Sequence, residues 1–186
     1  MKKILILLFL VASFFTVKAQ SDMLNVGVGI GNGSFGIYSG SRGLRGYNSR
    51  ITLPTIGVSY EHWIRDAITL GGYVSFNRTV YRNRDFNYYK NSYNNMWFGV
   101  RGAYYFDDLI GMSTDFDLYA GAALGFVYST NRQISQFDDP VLRSNGLYGV
   151  AGLFIGGRYH IAESVSLYSE LGIVASWITI GATFML

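Results

Sequence analysis

The sequence contains no cysteine, which excludes disulfide cross-links and any lipid attached through a cysteine. It has two prolines and two histidines. Scarce proline leaves room for long strands, and scarce histidine leaves few candidates for general-base chemistry. Beyond the first nineteen residues, no apolar run approaches the roughly 20 residues that a membrane-spanning helix requires. Excess charge of one sign is also missing. The formal +3 rests on Lys2, Lys3 and Lys18; without them, twelve basic residues face twelve acidic ones. Nothing in this balance favours nucleic acid as a partner.

The first segment, MKKILILLFLVASFFTVKA (residues 1–19), has a basic start, an apolar run from Ile4 to Phe15, and Val17 and Ala19 at the −3 and −1 positions of a cleavage site before Gln20. These are the parts of a secretory signal peptide. Residues 20–186 are expected to form one domain.

That domain is rich in glycine (23 residues) and aromatics (17%), and it alternates. From Leu147, every second residue gives Leu147, Gly149, Ala151, Leu153, Ile155, Gly157, Tyr159 and Ile161, a face without charge. The intervening set is Tyr148, Val150, Gly152, Phe154, Gly156, Arg158 and His160. A period of two means strands. An apolar face opposite a Gly/Ser/Tyr face with isolated charges suits a barrel with lipid outside and a tight polar core inside.

The same alternation predicts eight strands: Met23–Gly31, Thr55–Ile64, Ala67–Asn77, Asn95–Phe106, Asp115–Tyr128, Leu147–Ile161, Val165–Ile173 and Ile178–Leu186. Most approach the 9–11 residues that cross a bilayer when tilted. Long connections at Asn32–Leu53, Arg78–Asn94 and Ser129–Asn145 alternate with short ones. This rhythm belongs to outer-membrane barrels, with turns in the periplasm and loops outside. The connection near Ala175 is short for an outer one. The expected fold is an eight-stranded antiparallel up-and-down transmembrane β-barrel.

With the Ala19-Gln20 signal ending, the eight alternating strands and strand starts such as Val165-Ser166-Leu167-Tyr168, the chain resembles the outer-membrane β-barrel superfamily of small OmpA/OmpX/OmpW-like proteins, in its Bacteroidetes-type form. The resemblance implies a Gram-negative outer-membrane location, handling by the outer-membrane assembly machinery, and one barrel per molecule, a monomer. Such barrels often end in an aromatic residue. Here the last residue is Leu186, with Phe184 two positions earlier on the same face.

Strand parity turns five charges inward: Glu61, Arg101, Asp117, Arg158 and Glu170. An eight-stranded interior is just wide enough for side chains to fill it, so a paired, plugging network is expected. A narrow channel for ions or small solutes is the alternative. The predicted outer loops carry Arg42, Arg45, Arg50, Arg78, Arg82, Arg84 and Lys90, whereas the short turns are mostly acidic. Arginine pairs well with phosphate, so lipopolysaccharide and membrane lipid are the expected partners. The tyrosines of the second loop (Tyr81, Tyr88, Tyr89, Tyr93) fit a girdle at the membrane boundary. An extracellular ligand has no recognisable motif.

Enzymatic chemistry is not expected. His62 and His160 both fall at the short-turn end, and neither has a serine two residues later, where lipid A deacylase-like barrels place one; those positions hold Ile64 and Ala162. His160, Ser164 and Glu170 are not expected to converge. The sequence offers no metal cluster, no cofactor fingerprint and no catalytic set.

Overall fold

The computed structural model describes residues 22–31, 49–82, 89–107, 111, 115–135 and 142–186. The expected signal peptide, and with it Arg42, Arg45 and Arg84, lies outside the described residues. Among the described residues nine strands run in order: β1 (Met23–Ile30), β2 (Ser49–Thr52), β3 (Thr55–Arg65), β4 (Ile68–Arg82), β5 (Tyr89–Tyr105), β6 (Phe116–Ser135), β7 (Leu142–Ala162), β8 (Val165–Gly172) and β9 (Ile178–Met185).

Eight of these close a barrel. Neighbours pair antiparallel from β3 through β1, β9, β8, β7 and β6 to β5, and β4 joins β3 to β5. Closure leaves no edge through the barrel wall, and an open edge in hydrocarbon would cost several kcal/mol for each unpaired backbone group. The short β2 lies outside this count. It continues the line of β3 along β4, interrupted at Leu53-Pro54. Thr52 faces Thr79 and Ile56 faces Phe76, so three residues stand against two. Pro54, with no N–H to give to the ladder, sits in that bulge.

The expected strand order holds, but two expected loops are shorter than their sequence suggests. β4 extends to Arg82 and β5 starts at Tyr89, inside the stretch read as the second loop. β6 extends to Ser135 and β7 starts at Leu142, inside the third. The first loop contains β2. The hydrophobic alternation stops at Phe76, Met96, Tyr128 and Leu147, but hydrogen bonding continues beyond, because pairing needs backbone and register rather than apolar side chains. The result is lopsided: β5, β6 and β7 have 17, 20 and 21 residues, whereas β1, β8 and β9 have eight each.

The two hairpins with a described two-residue turn each carry a bulge, between Trp63 and Arg65 and between His160 and Ala162. Cross-strand partners share a face. A plain two-residue turn would set the polar face of one strand opposite the apolar face of the next. One extra residue restores the match, as when Glu61 faces Gly71 and Arg158 faces Tyr168.

The exterior is apolar. Val28, Ile56, Leu70, Val100, Leu124, Leu153, Leu171 and Ile180 are exposed. From the short-turn end to the row Phe76–Met96–Tyr128–Leu147, the outward positions of the eight barrel strands hold no Asp, Glu or Lys, and their one Arg is Arg65, the last residue of β3, opposite Ile68 at the turn.

Candidate functional site

The bore is filled in layers. Nearest the short turns, Arg158 from β7 is only 1% exposed. Its Nη1 lies 3.3 Å from Asp117 Oδ2 and 3.0 Å from Met23 Sδ, and its Nε donates to Thr183 Oγ1 at 3.2 Å. The guanidinium also stands over the rings of Tyr105 and Tyr119, 5.5 and 5.3 Å from their centroids, where the negative ring face stabilises a desolvated cation.

One level further, Arg101 from β5 bridges two carboxylates. Its Nη2 is 2.5 Å from Glu170 Oε1, and its Nε is 3.1 Å from Glu61 Oε1. The second contact is ionic rather than a well-aligned hydrogen bond. Glu61, 1% exposed, also accepts from Asn25 Nδ2 at 2.9 Å and Thr69 Oγ1 at 2.8 Å. Tyr119 links the layers by donating to Glu170 Oε1 at 3.0 Å. The five inward charges predicted from sequence therefore meet in the bore as two clusters, Arg101–Glu61–Glu170 and Arg158–Asp117, joined through a tyrosine. Desolvated pairs of this kind persist only where other hydrogen bonds satisfy the remaining lone pairs.

Above Arg101 lies a cavity of about 60 Å³, lined in part by Ser59, Ser75, Tyr168, Glu170 and Thr179. An apolar layer of Tyr73, Trp97, Ala123, Val127, Val150 and Ala175 packs beyond it. Ala175 belongs to the short β8–β9 connection, which folds into the bore with Val174 and Ser176, while Trp177 stays outside. A polar ladder closes the series across four strands: Asn77 donates to Thr55, Asn95 to Asn77, and Ser129 to Asn95, at 3.3, 3.1 and 2.7 Å.

Two histidine clusters flank the short-turn end. His160 Nε2 is 3.0 Å from Asp117 Oδ2, and His160 Nδ1 is 2.8 Å from Ser166 Oγ. Sequence reasoning missed this serine, because symmetric counting from the Glu163-Ser164 turn sets Ser166 opposite Ile161. The β7 bulge moves it opposite His160. Equal parity of His160 and Ser166 was the available signal. The serine is 0% exposed, and the trio ties β6, β7 and β8 together.

On the outside, Asp22 accepts a hydrogen bond from Tyr60 and lies 2.5 Å from His62 Nδ1. Slight burial works to raise its pKa, but the hydrogen bonds from Tyr60 and His62 and the charge of His62 outweigh this and hold the carboxyl below 3.8. A depressed carboxylate contributes stability that is present above its unfolded value and lost as the pH falls through its folded value. Unfolding in urea should therefore become easier below about pH 3.8, and Asp22→Asn should flatten part of that dependence. An identical acid limb in the variant would remove Asp22 from the account.

Of the basic loop residues, Arg50, Arg82 and Lys90 lie within β2, β4 and β5 rather than in loops. Arg78 is in β4, exposed, with its Nε donating to Ser92 Oγ at 3.2 Å.

Closure, strand length and the apolar exterior define a class: a small membrane-spanning barrel of the outer-membrane type. Three solved structures are similar to this chain. The N-terminal β-barrel domain of Pseudomonas aeruginosa OprF has 12% identity over 90% of this chain and 98% of its own, with a TM-score of 0.48. Ail, the attachment invasion locus protein of Yersinia pestis, has 8% identity over 89% and 93%, with a TM-score of 0.45. Neisserial surface protein A has 15% identity over 90% and 95%, with a TM-score of 0.42. No protein-family profile matches the sequence. No curated protein matches it either.

Proposed function

We propose that this chain is an integral outer-membrane barrel whose interior is blocked by its own side chains, and that its role is structural or surface-binding within the envelope. In this reading the long hairpins face outward and the acidic short turns face the periplasm. The observation that carries it is the Arg101 bridge, which spans the bore between Glu61 on β3 and Glu170 on β8. Apolar packing above it and the Arg158 cluster below support the same reading. Buried Ser166 supports a role without hydrolysis. Partners in this reading are the outer-membrane assembly machinery and phosphorylated lipid met by the basic outer side.

A planar bilayer tests the proposal. Residues 20–186, refolded and shown to be folded by heat-modifiable gel mobility, should give no reproducible conductance steps. Steps that change with Arg101→Gln would overturn the blocked interior. The cavity next to Arg101 favours that second reading, a narrow channel with the ion pair as its constriction.

A further inference from the structure

The wall beyond the apolar band carries a feature that strand register makes visible. The last apolar row across β4, β5, β6 and β7 is Phe76–Met96–Tyr128–Leu147. The next row on the same face is Arg78–Asn94–Thr130–Asn145, and the one after it is Val80–Ser92–Arg132–Arg143. Arg78 and Arg132 are both exposed. Ser92 is buried and accepts from Arg78 Nε, so Arg78 reaches the β5 residue that Arg132 stands opposite on β6.

Height decides what these groups meet. Two residues of antiparallel strand advance about 6.8 Å, so Arg78 and Arg132 start about 7 and 14 Å beyond the apolar row. At the tilt of about 45° typical of such strands, this is about 5–10 Å above the hydrocarbon. A headgroup layer occupies about 5–8 Å on each side of the bilayer core. Arg78 thus starts at phosphate depth, and Arg132 starts about 2 Å beyond it, a gap that its long side chain can span by turning back toward the headgroups. Among the described residues, every carboxylate lies either in the bore or at the short-turn end: Asp22, Glu61, Asp66, Asp107, Asp115, Asp117, Glu163 and Glu170. Asp85, Asp138 and Asp139 are outside the described residues.

We infer that the outward face of β4, β5 and β6, just beyond the apolar band, is a ledge that binds the phosphates of a phosphorylated glycolipid in the outer leaflet, with Arg78 and Arg132 as the phosphate-binding groups. Asn94 and Thr130 continue the row of Arg78 with side chains that can hydrogen-bond sugar hydroxyls. The inference rests on the membrane placement proposed above and not on whether the bore conducts.

The test uses refolded barrel in mild detergent, titrated with diphosphorylated lipid A and with the same lipid freed of phosphate, with retained lipid read by native mass spectrometry. The barrel should hold the diphosphorylated form at least about tenfold more tightly, since each 1.4 kcal/mol of charge-assisted contact is tenfold. Arg78→Gln with Arg132→Gln should abolish the preference while gel mobility stays that of the folded barrel; Arg78→Lys with Arg132→Lys should retain part of it. Equal retention of both lipids, as would follow if the three aspartates neutralise the ledge, would overturn the inference. So would a preference that survives in the glutamine variant, or displacement of lipid A by millimolar inorganic phosphate, which would assign the site to a soluble anion. A conducting barrel that keeps the lipid preference would overturn the blocked interior alone.

Discussion

Arg101→Ala is expected to lower the unfolding free energy of the barrel by about 3–5 kcal/mol, the range seen when one partner of a buried pair is removed. The variant leaves Glu61 and Glu170 facing each other across the bore, with Glu61 1% exposed. The hydrogen bonds from Asn25, Thr69 and Tyr119 cannot replace a full positive charge. Urea midpoints in lipid vesicles measure the loss. Arg101→Met combined with Glu61→Gln and Glu170→Gln should recover much of it, because a buried pair replaced by neutral groups of similar volume is often close to neutral. A midpoint unchanged in the single variant would mean that water reaches this layer and that the ion pair does not hold the barrel together.

The second large effect is steric. Gly156 faces Tyr119 across β6 and β7, and a Cβ there would lie 2.5 Å from the tyrosine Cζ. Tyr119 cannot swing away, since it is packed by Tyr105 and Phe154 and bonded to Glu170. Gly156→Val should therefore cost at least about 1–3 kcal/mol, the range for an overpacked interior, and reduce the folded yield. Gly149 lies on the same strand but turned outward, with nothing within 4 Å of an added Cβ. Gly149→Val should stay within about 0.5 kcal/mol of the parent. Equal effects at the two positions would remove the account of inward glycines as clearance for tyrosine rings. Tyr119→Leu in the Gly156→Val background should restore part of the stability by opening space over the valine.

How far the sequence reached depended on which contacts follow from strand parity. Inward and outward sets were legible because a period of two places each side chain on a definite face. This applies to Glu61, Arg101, Asp117, Arg158 and Glu170, and to the lipid-facing run from Leu147 to Ile161. Partner choice was not legible. Whether Arg101 meets Glu61 and Glu170 rather than Asp117 depends on stagger around a closed barrel, and one bulge changes that stagger for every residue beyond it. The Ser166–His160 contact shows this directly, since it exists only because β7 gains a residue before its turn. Parity did hold a clue: the polar faces on either side of a two-residue turn match only if a bulge intervenes.

The strand ends mark a second boundary between the two kinds of information. The lipid band was fixed by composition, because hydrocarbon selects apolar side chains. Its upper limit at Phe76, Met96, Tyr128 and Leu147 is a property of the chain alone. The extension of β4–β7 past that limit is set by backbone pairing, to which polar side chains such as Asn77, Asn95 and Ser129 are well suited but which their identity does not announce. By itself the sequence determined an alternating, membrane-facing eight-stranded barrel with charges inside. Only the tertiary structure decided which charges pair, how the β8–β9 connection fills the bore, and that Arg78 and Arg132 share one face beyond the apolar band. The physical reason is that alternation is a local property of each strand, whereas register and closure are properties of all eight together.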